Sequence, residues 1–283
     1  MRMAHLSDLH FGKHDEALAP TLAPELDAQK LDLVVISGDF TQDGSEAEFK
    51  IAREFIDTLK APVFAVPGNH DVPQINLLRR LVSPYAHYRK YIDTNLEPFV
   101  EIDGVAICGL RTSRRLSPDM NWSNGFLDRS QLRALEGRLA KASPSAIRVI
   151  VAHHPLLYPE TGEPKRQRRV RRADRALEEF TRLGVRLVLS GHFHLSYVRV
   201  HEQPGTVKEG TPDGLRRATA APILVAQTSS TTSTRLRGHP NAYNLISIEG
   251  DQIRIDVREW REGKWATKER TEEVAPLPQN VSV

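Results

Sequence analysis

The sequence predicts an α/β protein whose strands are buried on both faces. Through the first two-thirds of the 283 residues, short apolar runs alternate with segments of helical periodicity, and nearly every run ends in a polar cluster. Continuous apolar runs of strand length are typical of strands that are covered on both sides. We assign such runs to strands at residues 1–7, 31–37, 63–67, 105–110, 147–152 and 185–190.

Helices are predicted between these strands. Ser45 is placed to cap a helix that continues to about Leu59, and Glu48 stands three residues after it, where a capping box requires a partner. Helical periodicity also covers residues 75–91, 130–142 and 173–183. The alternation of helices with strands supports the α/β assignment.

Beyond residue 194 the pattern changes to runs of strand length separated by turn residues, at 197–201, 223–227, 241–248 and 252–260. The segment Glu249-Gly250-Asp251 predicts a hairpin between the last two runs. Residues from about 261 onward are charged or contain proline, which predicts an edge strand followed by a loose tail. Because no repeat or disordered linker is visible, we predict a single domain over residues 1–283.

Composition indicates an ordinary soluble globular protein, with 40% apolar and 27% charged residues. The net charge of +3 is too small to imply a nucleic-acid partner. The single cysteine, Cys108, lies in an apolar run and predicts a buried, inert thiol. No stretch approaches the roughly 18 apolar residues of a membrane span, and no signal-peptide core is present, so we expect a cytoplasmic protein without a transmembrane segment.

Histidine, aspartate and asparagine are concentrated in clusters just past the predicted strand ends. The five clusters are Asp8-Leu9-His10, Gly38-Asp39, Gly68-Asn69-His70-Asp71, His153-His154-Pro155 and Gly191-His192-Phe193-His194. Ligands gather at the carboxyl ends of strands in open α/β sheets. Each cluster alone has an ordinary interpretation as a turn, but the five together indicate a metal site. Imidazole and carboxylate without thiolate favour Mn, Fe, Zn or a similar ion.

Two pairs within these clusters have the spacing of joint ligands. Asp8 and His10 are two residues apart, so in an extended segment both side chains would point the same way and hold one ion. His192 and His194 repeat that spacing.

This series of motifs is similar to that of the calcineurin-like metallophosphoesterases, and it spans residues 8–194. The resemblance implies a four-layer αββα sandwich with two mixed sheets and a site for two divalent ions, Mn, Fe, Zn or mixed. The ligands it implies are Asp8, His10 and His194 on one ion, Asn69, His153 and His192 on the other, and Asp39 bridging. It also places His70 near the leaving group, without a metal. The first and third clusters with their flanking residues resemble the bacterial class III cyclic nucleotide phosphodiesterases most.

The function that this resemblance implies is hydrolysis of a small phosphate ester. Only Asp8 and Asp39 are anionic among the implied ligands, so two divalent ions with a bridging hydroxide would keep about one positive charge, which matches a phosphodiester monoanion. We therefore expect attack by that hydroxide on phosphodiesters such as cyclic nucleotides. His70 is the expected general acid, because histidine titrates near neutral pH.

Other functions stay open on the sequence alone. The same centre suits a phosphomonoesterase, a pyrophosphatase acting on a nucleotide-linked lipid precursor, or a nuclease, although a nucleic-acid partner is not expected. A non-catalytic scaffold is disfavoured because no ligand is missing. A homodimer is also left open.

One position departs from the family pattern. Many relatives have a second aspartate three residues after the bridging one, whereas this chain has Gln42 there, followed by Asp43. A carboxylate that would support His70 is therefore missing from its usual place. Asp43 and Asp71 are the candidates to replace it.

Further residues are candidates for contact with the substrate. His154 either contacts substrate or shapes the loop before Pro155. The basic residues 165–172 form either a solvated loop or a rim that recruits phosphate-rich substrates through Arg168, Arg169, Arg171 and Arg172. The hydroxyl-rich segment 228–239, with its two arginines, either approaches the phosphate or only forms a loop, and we favour the loop.

Overall fold

The computed structural model describes residues 1–116, 121–160, 168–202 and 221–268. Along these residues the elements are β1 (Arg2–Leu6), α1 (Ala19–Ala28), β2 (Leu33–Ile36), α2 (Glu46–Thr58), β3 (Val63–Ala65), α3 (Leu77–Val82), α4 (Ala86–Tyr91), β4 (Phe99–Ile102), β5 (Val105–Leu110), α5 (Arg129–Leu139), β6 (Ile147–Ala152), α6 (Ala173–Arg182), β7 (Val185–Ser190), β8 (Tyr197–His201), β9 (Ile223–Gln227), β10 (Ala242–Glu249), β11 (Gln252–Arg261) and β12 (Lys264–Thr267).

The strands form two mixed six-stranded sheets. The first has the order β12-β11-β10-β1-β2-β3, in which β1, β2 and β3 are parallel and β10 joins β1 antiparallel. The second has the order β4-β5-β6-β7-β9-β8, in which β5, β6, β7 and β9 are parallel and the two edge strands are antiparallel. The parallel strands therefore end at a common edge within each sheet.

The two sheets pack face to face, with helices on both outer sides. Since successive side chains of a strand point to opposite faces, each central strand contributes to two cores. The inner core joins Met3, Val35, Phe64 and Ile246 of the first sheet to Ile107, Val149, Leu187 and Leu224 of the second. Outside the first sheet pack α1, α2 and α4, and outside the second pack α5 and α6. The predicted four-layer αββα sandwich is confirmed.

Most predicted elements are present with small shifts of their ends. Ser45 caps α2 in a capping box with Glu48, as predicted. The hairpin between β10 and β11 pairs Glu249 with Gln252, and β12 is the predicted edge strand. Cys108 is buried on β5, and burial raises the pKa of its thiol to about 11. The predicted tail lies largely outside the described residues, so the single-domain prediction over 1–283 stays a prediction.

Three details of the sequence interpretation were wrong. The helix predicted over 75–91 is two short helices, α3 and α4, because Pro84 disfavours helical backbone at Ser83. Helix α1 was not predicted, since Pro20 and Pro24 lie within it and weaken its helical signal. Strand β4 was also missed. It is a half-buried edge strand that pairs with β5.

The sandwich brings the strand ends of both sheets to one place. The clusters after β1, β2 and β3 come from the first sheet, and those after β6 and β7 come from the second. Among the residues that the structure describes, none of the helices combines the length and apolar character that crossing a bilayer requires.

Candidate metal centre

The five polar clusters converge between the carboxyl ends of the two sheets. Four overlapping groups of three side chains each place their ligand atoms within 4.8 Å of one another: Asp8, His10 and His194; Asp8, Asp39 and His153; His10, Asp39 and His70; and His153, His154 and His192. All of these side chains are buried except His70, which is half-buried. Asn69 is also buried and lies among them.

The first side of the centre is formed by Asp8, His10 and His194. Asp8 Oδ1 lies 3.1 Å from His194 Nε2 and 3.7 Å from His10 Nε2. The two Nε2 atoms are themselves 3.3 Å apart. Three potential ligand atoms thus share one small space.

The second side is formed around His153. Its Nε2 lies 3.2 Å from Asp39 Oδ2 and 3.1 Å from Asn69 Oδ1. The His192 ring centroid is 5.2 Å from that of His153. Asp39 Oδ2 is also 3.9 Å from His10 Nε2, so this carboxylate lies between the two sides.

Backbone carbonyls orient the histidine rings of the centre. A carbonyl oxygen only accepts, so a ring nitrogen bonded to one carries a proton, and in the neutral ring the other nitrogen is the one with a lone pair. The Nδ1 donations are His10 to Thr41 O (3.2 Å), His70 to Gln42 O (2.6 Å), His153 to Ser37 O (2.9 Å) and His194 to Arg235 O (2.9 Å). In His10, His153 and His194 the Nε2 atom is therefore the ring nitrogen that faces the centre, and in His70 the same atom faces Arg235.

The arrangement of acceptor atoms calls for positive charge at the centre. With Nδ1 protonated, Nε2 of His10 and His194 face each other and Asp8 Oδ1 as acceptors, and that oxygen is buried without a hydrogen-bond donor. Acceptors at such distances repel unless a cation or protons lie between them. Buried imidazole, carboxylate and amide oxygen atoms are a donor set that suits first-row divalent ions, so the residues fit the predicted metals.

The pKa values of the centre reflect burial and mutual charge. Burial lowers the pKa of His10 to about 4, although the neighbouring Asp8 carboxylate acts to raise it. Burial also opposes protonation of His153, but Asp39 beside it outweighs this effect and raises the pKa to about 9. For Asp39 burial alone would raise the pKa, yet His153 and His70 hold it well below its ordinary value. The Asp39 carboxylate is therefore ionised and attracts cations to the centre.

The strand-to-loop turns put the ligand candidates themselves in left-handed backbone conformations. Among described non-glycine residues with positive φ are Asp8 (52°), His10 (50°), Asp39 (55°), His192 (73°) and His194 (56°). Such conformations are uncommon outside glycine and concentrate at functional sites. Asp8 and His10 do meet, but the extended geometry that we expected for the pair is wrong. The tight backbone turns bring them together.

Asp71 holds the loop that carries Asp39. Its carboxylate accepts hydrogen bonds from the backbone N–H groups of Asp39 (2.9 Å), Thr41 (3.1 Å) and Gly68 (2.8 Å). Burial and the nearby Asp39 raise the pKa of Asp71 to about 7. Asp71 therefore positions a ligand candidate, and it is not the support of His70.

The support of His70 is a backbone carbonyl. His70 donates from Nδ1 to Gln42 O, so neither Asp43 nor Asp71, the candidates proposed from the sequence, fills this role. The other ring nitrogen, Nε2, lies 3.4 Å from a guanidinium nitrogen of Arg235. His70 thus lies between a neutral acceptor and a cation.

The hydroxyl segment after β9 is buried and braces the first cluster. Ser230 Oγ donates to Asp8 O (2.7 Å), and Thr232 Oγ1 donates to Leu9 O (2.7 Å). Thr231 Oγ1 accepts from the backbone N–H of Ser7 (3.2 Å). The segment is a loop, as we favoured, and its hydroxyls in addition satisfy buried backbone groups next to Asp8.

His154 has protein partners at both ring nitrogens. Its Nε2 donates to Ser123 O (2.9 Å), and its Nδ1 lies 2.7 Å from the Thr112 hydroxyl. Burial lowers the pKa of His154 to about 3, so the ring is neutral. This leaves His153, rather than His154, with a free nitrogen toward the centre.

A cavity of about 370 Å³ opens onto the centre. It is lined by Asp39, Asn69, His70, Ser123, His192, His194, Arg235 and Arg237. From the sequence we favoured a loop position for Arg235 and Arg237 over an approach to the phosphate, and Ser123 is not among the predicted site residues. No local motif marks these three residues, since all of them reach the cavity through the packing of distant segments.

The four arginines of the basic segment have other surroundings. Arg169 pairs with Asp174, and the Arg172 guanidinium lies 4.7 Å from the Phe126 ring centroid. Arg168 and Arg171 are exposed. None of the four belongs to the cavity lining, and residues 165–167 lie outside the described part, so a substrate-recruiting rim at residues 165–172 stays a prediction.

Gly68 is predicted to be essential to the position of Asp39. A Cβ at Gly68 would lie 2.1 Å from Asp39 Oδ1 and 2.4 Å from the Asp39 backbone nitrogen. We expect Gly68→Ala to displace this carboxylate, weaken metal binding at least about tenfold, and cost about 1–3 kcal/mol of stability. Metal titration by calorimetry and urea unfolding measure the two effects.

Gly137→Ala is the matched control for this substitution. Gly137 lies on α5, where a Cβ would have no neighbour within 4 Å, so alanine is expected to stabilise the protein by about 0.5–1 kcal/mol. Wild-type metal affinity in Gly68→Ala would show that the carboxylate tolerates the added methyl group.

Fold and centre together define a class of protein. A four-layer αββα sandwich that gathers buried His, Asp and Asn side chains at the strand ends is typical of metal-dependent phosphate-ester hydrolases. The family model of the calcineurin-like phosphoesterases matches residues 1–196, and the chain belongs to this family. The resemblance inferred from the motifs is thereby confirmed.

Relatives of named activity are phosphodiesterases. The chain is 28% identical over 212 residues to a probable cyclic nucleotide phosphodiesterase of Synechococcus sp., covering 70% of this chain and 75% of that protein. It is 29% identical over 170 residues to the 3′,5′-cyclic adenosine monophosphate phosphodiesterase of Escherichia coli, covering 58% and 55% of the two chains. A probable glycerophosphodiester phosphodiesterase of Arcobacter nitrofigilis is 29% identical over 127 residues, which cover 45% of this chain and 43% of that protein.

Solved structures support the fold. A purple acid phosphatase from yellow lupin seeds superposes with a TM-score of 0.66 at 13% identity, over 94% of this chain and 52% of that one. A dimetal phosphatase from Danio rerio superposes with a TM-score of 0.61 at 12% identity, over 91% of this chain and 95% of that one. At such identities the likeness concerns the fold alone.

Proposed function

We propose that the protein is a metal-dependent phosphodiesterase that hydrolyses small phosphodiesters, with cyclic nucleotides as the first candidates. The observation that carries the proposal is the convergence of acceptor atoms from both sheets, with four histidines oriented by backbone carbonyls. The names of the relatives, two cyclic nucleotide phosphodiesterases and a glycerophosphodiester phosphodiesterase among them, support the choice of a diester.

Seven residues are proposed as ligands of two divalent ions. Asp8, His10 and His194 would hold one ion, and Asn69, His153 and His192 the other. Asp39 would bridge them, in keeping with its place between His10 and His153. Their metals would be Mn, Fe, Zn or a mixture. When bound, two such ions clamp the phosphate, lower the pKa of an attacking water and offset the charge that develops during in-line displacement.

The chain's own residues would prepare this reaction. The carbonyls of Thr41, Ser37 and Arg235 keep the ligand histidines in one tautomer, and burial excludes bulk water from their surroundings. His70 also lines the cavity, where its Nε2, once protonated, would pass that proton to the leaving oxygen. The cavity of about 370 Å³ lies in the volume range of small-molecule sites.

A substrate panel tests the proposal. The Mn-reconstituted protein is assayed with bis-nitrophenyl phosphate, nitrophenyl phosphate, cyclic AMP and a nucleotide diphosphate conjugate. We expect kcat/KM for the diesters to exceed that for the monoester at least about tenfold. A preference for the monoester or for the diphosphate conjugate would replace the diesterase assignment, and activity that persists after chelation would refute a metal-dependent mechanism.

A further inference from the structure

Two arginines outside the family motifs occupy the wall of the candidate site. Arg235 and Arg237 follow the buried hydroxyl segment that braces Asp8, and both line the cavity. Asp39 is the only carboxylate among the described residues that line it. The wall therefore carries positive charge that the ligand motifs do not account for.

Arg235 links the two ends of the site. Its backbone carbonyl accepts from His194 Nδ1 (2.9 Å), while its guanidinium reaches across to Gln42 Oε1 (3.2 Å) and His70 Nε2 (3.4 Å). The backbone of this residue thus orients a ligand candidate. Its side chain points to the other part of the site, beside the proposed general acid.

The hydrogen bonds around His70 define what Arg235 contributes. His70 Nδ1 donates its hydrogen bond to Gln42 O. Because a guanidinium only donates, His70 Nε2 is the acceptor in its contact with Arg235. Arg235 therefore brings a positive charge to this position. A substrate oxygen that enters beside His70 would meet guanidinium N–H groups held by Gln42 Oε1 and His70 Nε2.

Arg237 is a second cation on this wall. Within the described residues, its side chain makes no hydrogen bond or ion pair, although it lines the cavity. Its side chain is exposed. Two arginines on the wall of a cavity whose described lining contains a single carboxylate, Asp39, favour the binding of an anion.

We propose that Arg235 is a further catalytic residue, which donates hydrogen bonds to the leaving oxygen of the bound phosphate ester, and that Arg237 binds the same phosphate group. The inference rests on the proposed phosphoesterase function. In hydrolysis the water oxygen forms a new P–O bond, and the ester P–O bond breaks with both electrons on the leaving oxygen. A proton from the water finally resides on that oxygen. Arg235 stabilises its negative charge before the proton arrives.

Arg235→Gln in the metal-loaded full chain is the test. The backbone carbonyl that orients His194 remains, so metal content by elemental analysis should be unchanged. Calorimetry with inorganic phosphate should show roughly 10–100-fold weaker binding, as expected for loss of a charge-assisted hydrogen bond. The value of kcat/KM should fall at least about tenfold more for cyclic AMP, with its alkoxide leaving group, than for bis-nitrophenyl phosphate.

Companion variants separate charge from geometry. Arg235→Lys should keep part of the phosphate affinity, because it retains a cation without the planar fork. Arg237→Gln should weaken phosphate binding by a smaller factor, with little change in leaving-group dependence. Arg133→Gln, on the exposed side of α5, is the matched control and should resemble wild type.

Two results would overturn the inference. One is wild-type phosphate affinity and leaving-group dependence in Arg235→Gln. The other is loss of metal in that variant, which would assign Arg235 to holding His194 instead. A wild-type protein without diesterase activity would refute the proposed function, but phosphate calorimetry would still decide whether the two arginines bind the anion.

Discussion

The Asp39→Ala variant is expected to lose binding of the two metal ions and nearly all hydrolytic activity. Asp39 Oδ2 lies 3.2 Å from His153 Nε2 and 3.9 Å from His10 Nε2, so its removal takes away a carboxylate that approaches both sides of the centre. Loss of residues that merely support a ligand costs about 10–100-fold in metal affinity, so loss of a bridging ligand should cost more. Elemental analysis and assays in excess Mn measure the two effects.

The design separates a metal defect from a folding defect. Asp43→Ala removes a neighbouring carboxylate outside the converging groups and should keep both metals and activity. Asp39→Asn keeps the shape of the side chain and should still lose metal, because the bridging charge is gone. Two ions per chain in Asp39→Ala, measured on protein that unfolds cooperatively, would contradict the bridging assignment.

His70→Ala is expected to slow hydrolysis according to the leaving group. An alkoxide needs a proton as it departs, whereas nitrophenolate departs without one. General acid catalysis contributes about 10²–10⁴-fold, so kcat/KM for cyclic AMP should fall by that factor while bis-nitrophenyl phosphate loses less than about tenfold. Steady-state kinetics on both substrates give the comparison.

Metal content decides between two roles for His70. Its ring lies in one converging group with His10 and Asp39, so the geometry also allows a ligand. If His70 is the acid, His70→Ala keeps both ions, and equal losses on both substrates would exclude that role. Metal loss would make His70 a ligand. His201→Ala, on the edge strand β8, is the histidine control and should resemble wild type.

Arg235 and His70 are expected to act on the same oxygen. Their effects should therefore be non-additive in the double variant, since residues that share a partner couple energetically. The double variant is expected to lose little more kcat/KM for cyclic AMP than the stronger single variant. Additive losses would mean that the two residues serve different steps.

Sequence reasoning located the candidate centre because its information is local. A polar cluster after a buried strand needs only the apolar run before it, and parallel strands bring such clusters to one edge. Asp8, Asp39, Asn69, His153 and His192 were found in this way, and the capping box at Ser45 was predicted on the same local grounds. The chemistry of imidazole and carboxylate then indicated the kind of ion.

Other features depend on contacts between segments that are far apart in the chain. Ser230 and Thr232 brace the loop of Asp8 from more than 200 residues away, and Arg235 meets His70 across 165 positions. Hydroxyls and arginines carry no spacing that marks such a role, because their partners are backbone groups and side chains supplied by the opposite sheet. The types of ligand could therefore be predicted from the residues that follow each strand. The tautomers of the histidines, the support of His70 and the cationic wall follow only from how the two sheets pack.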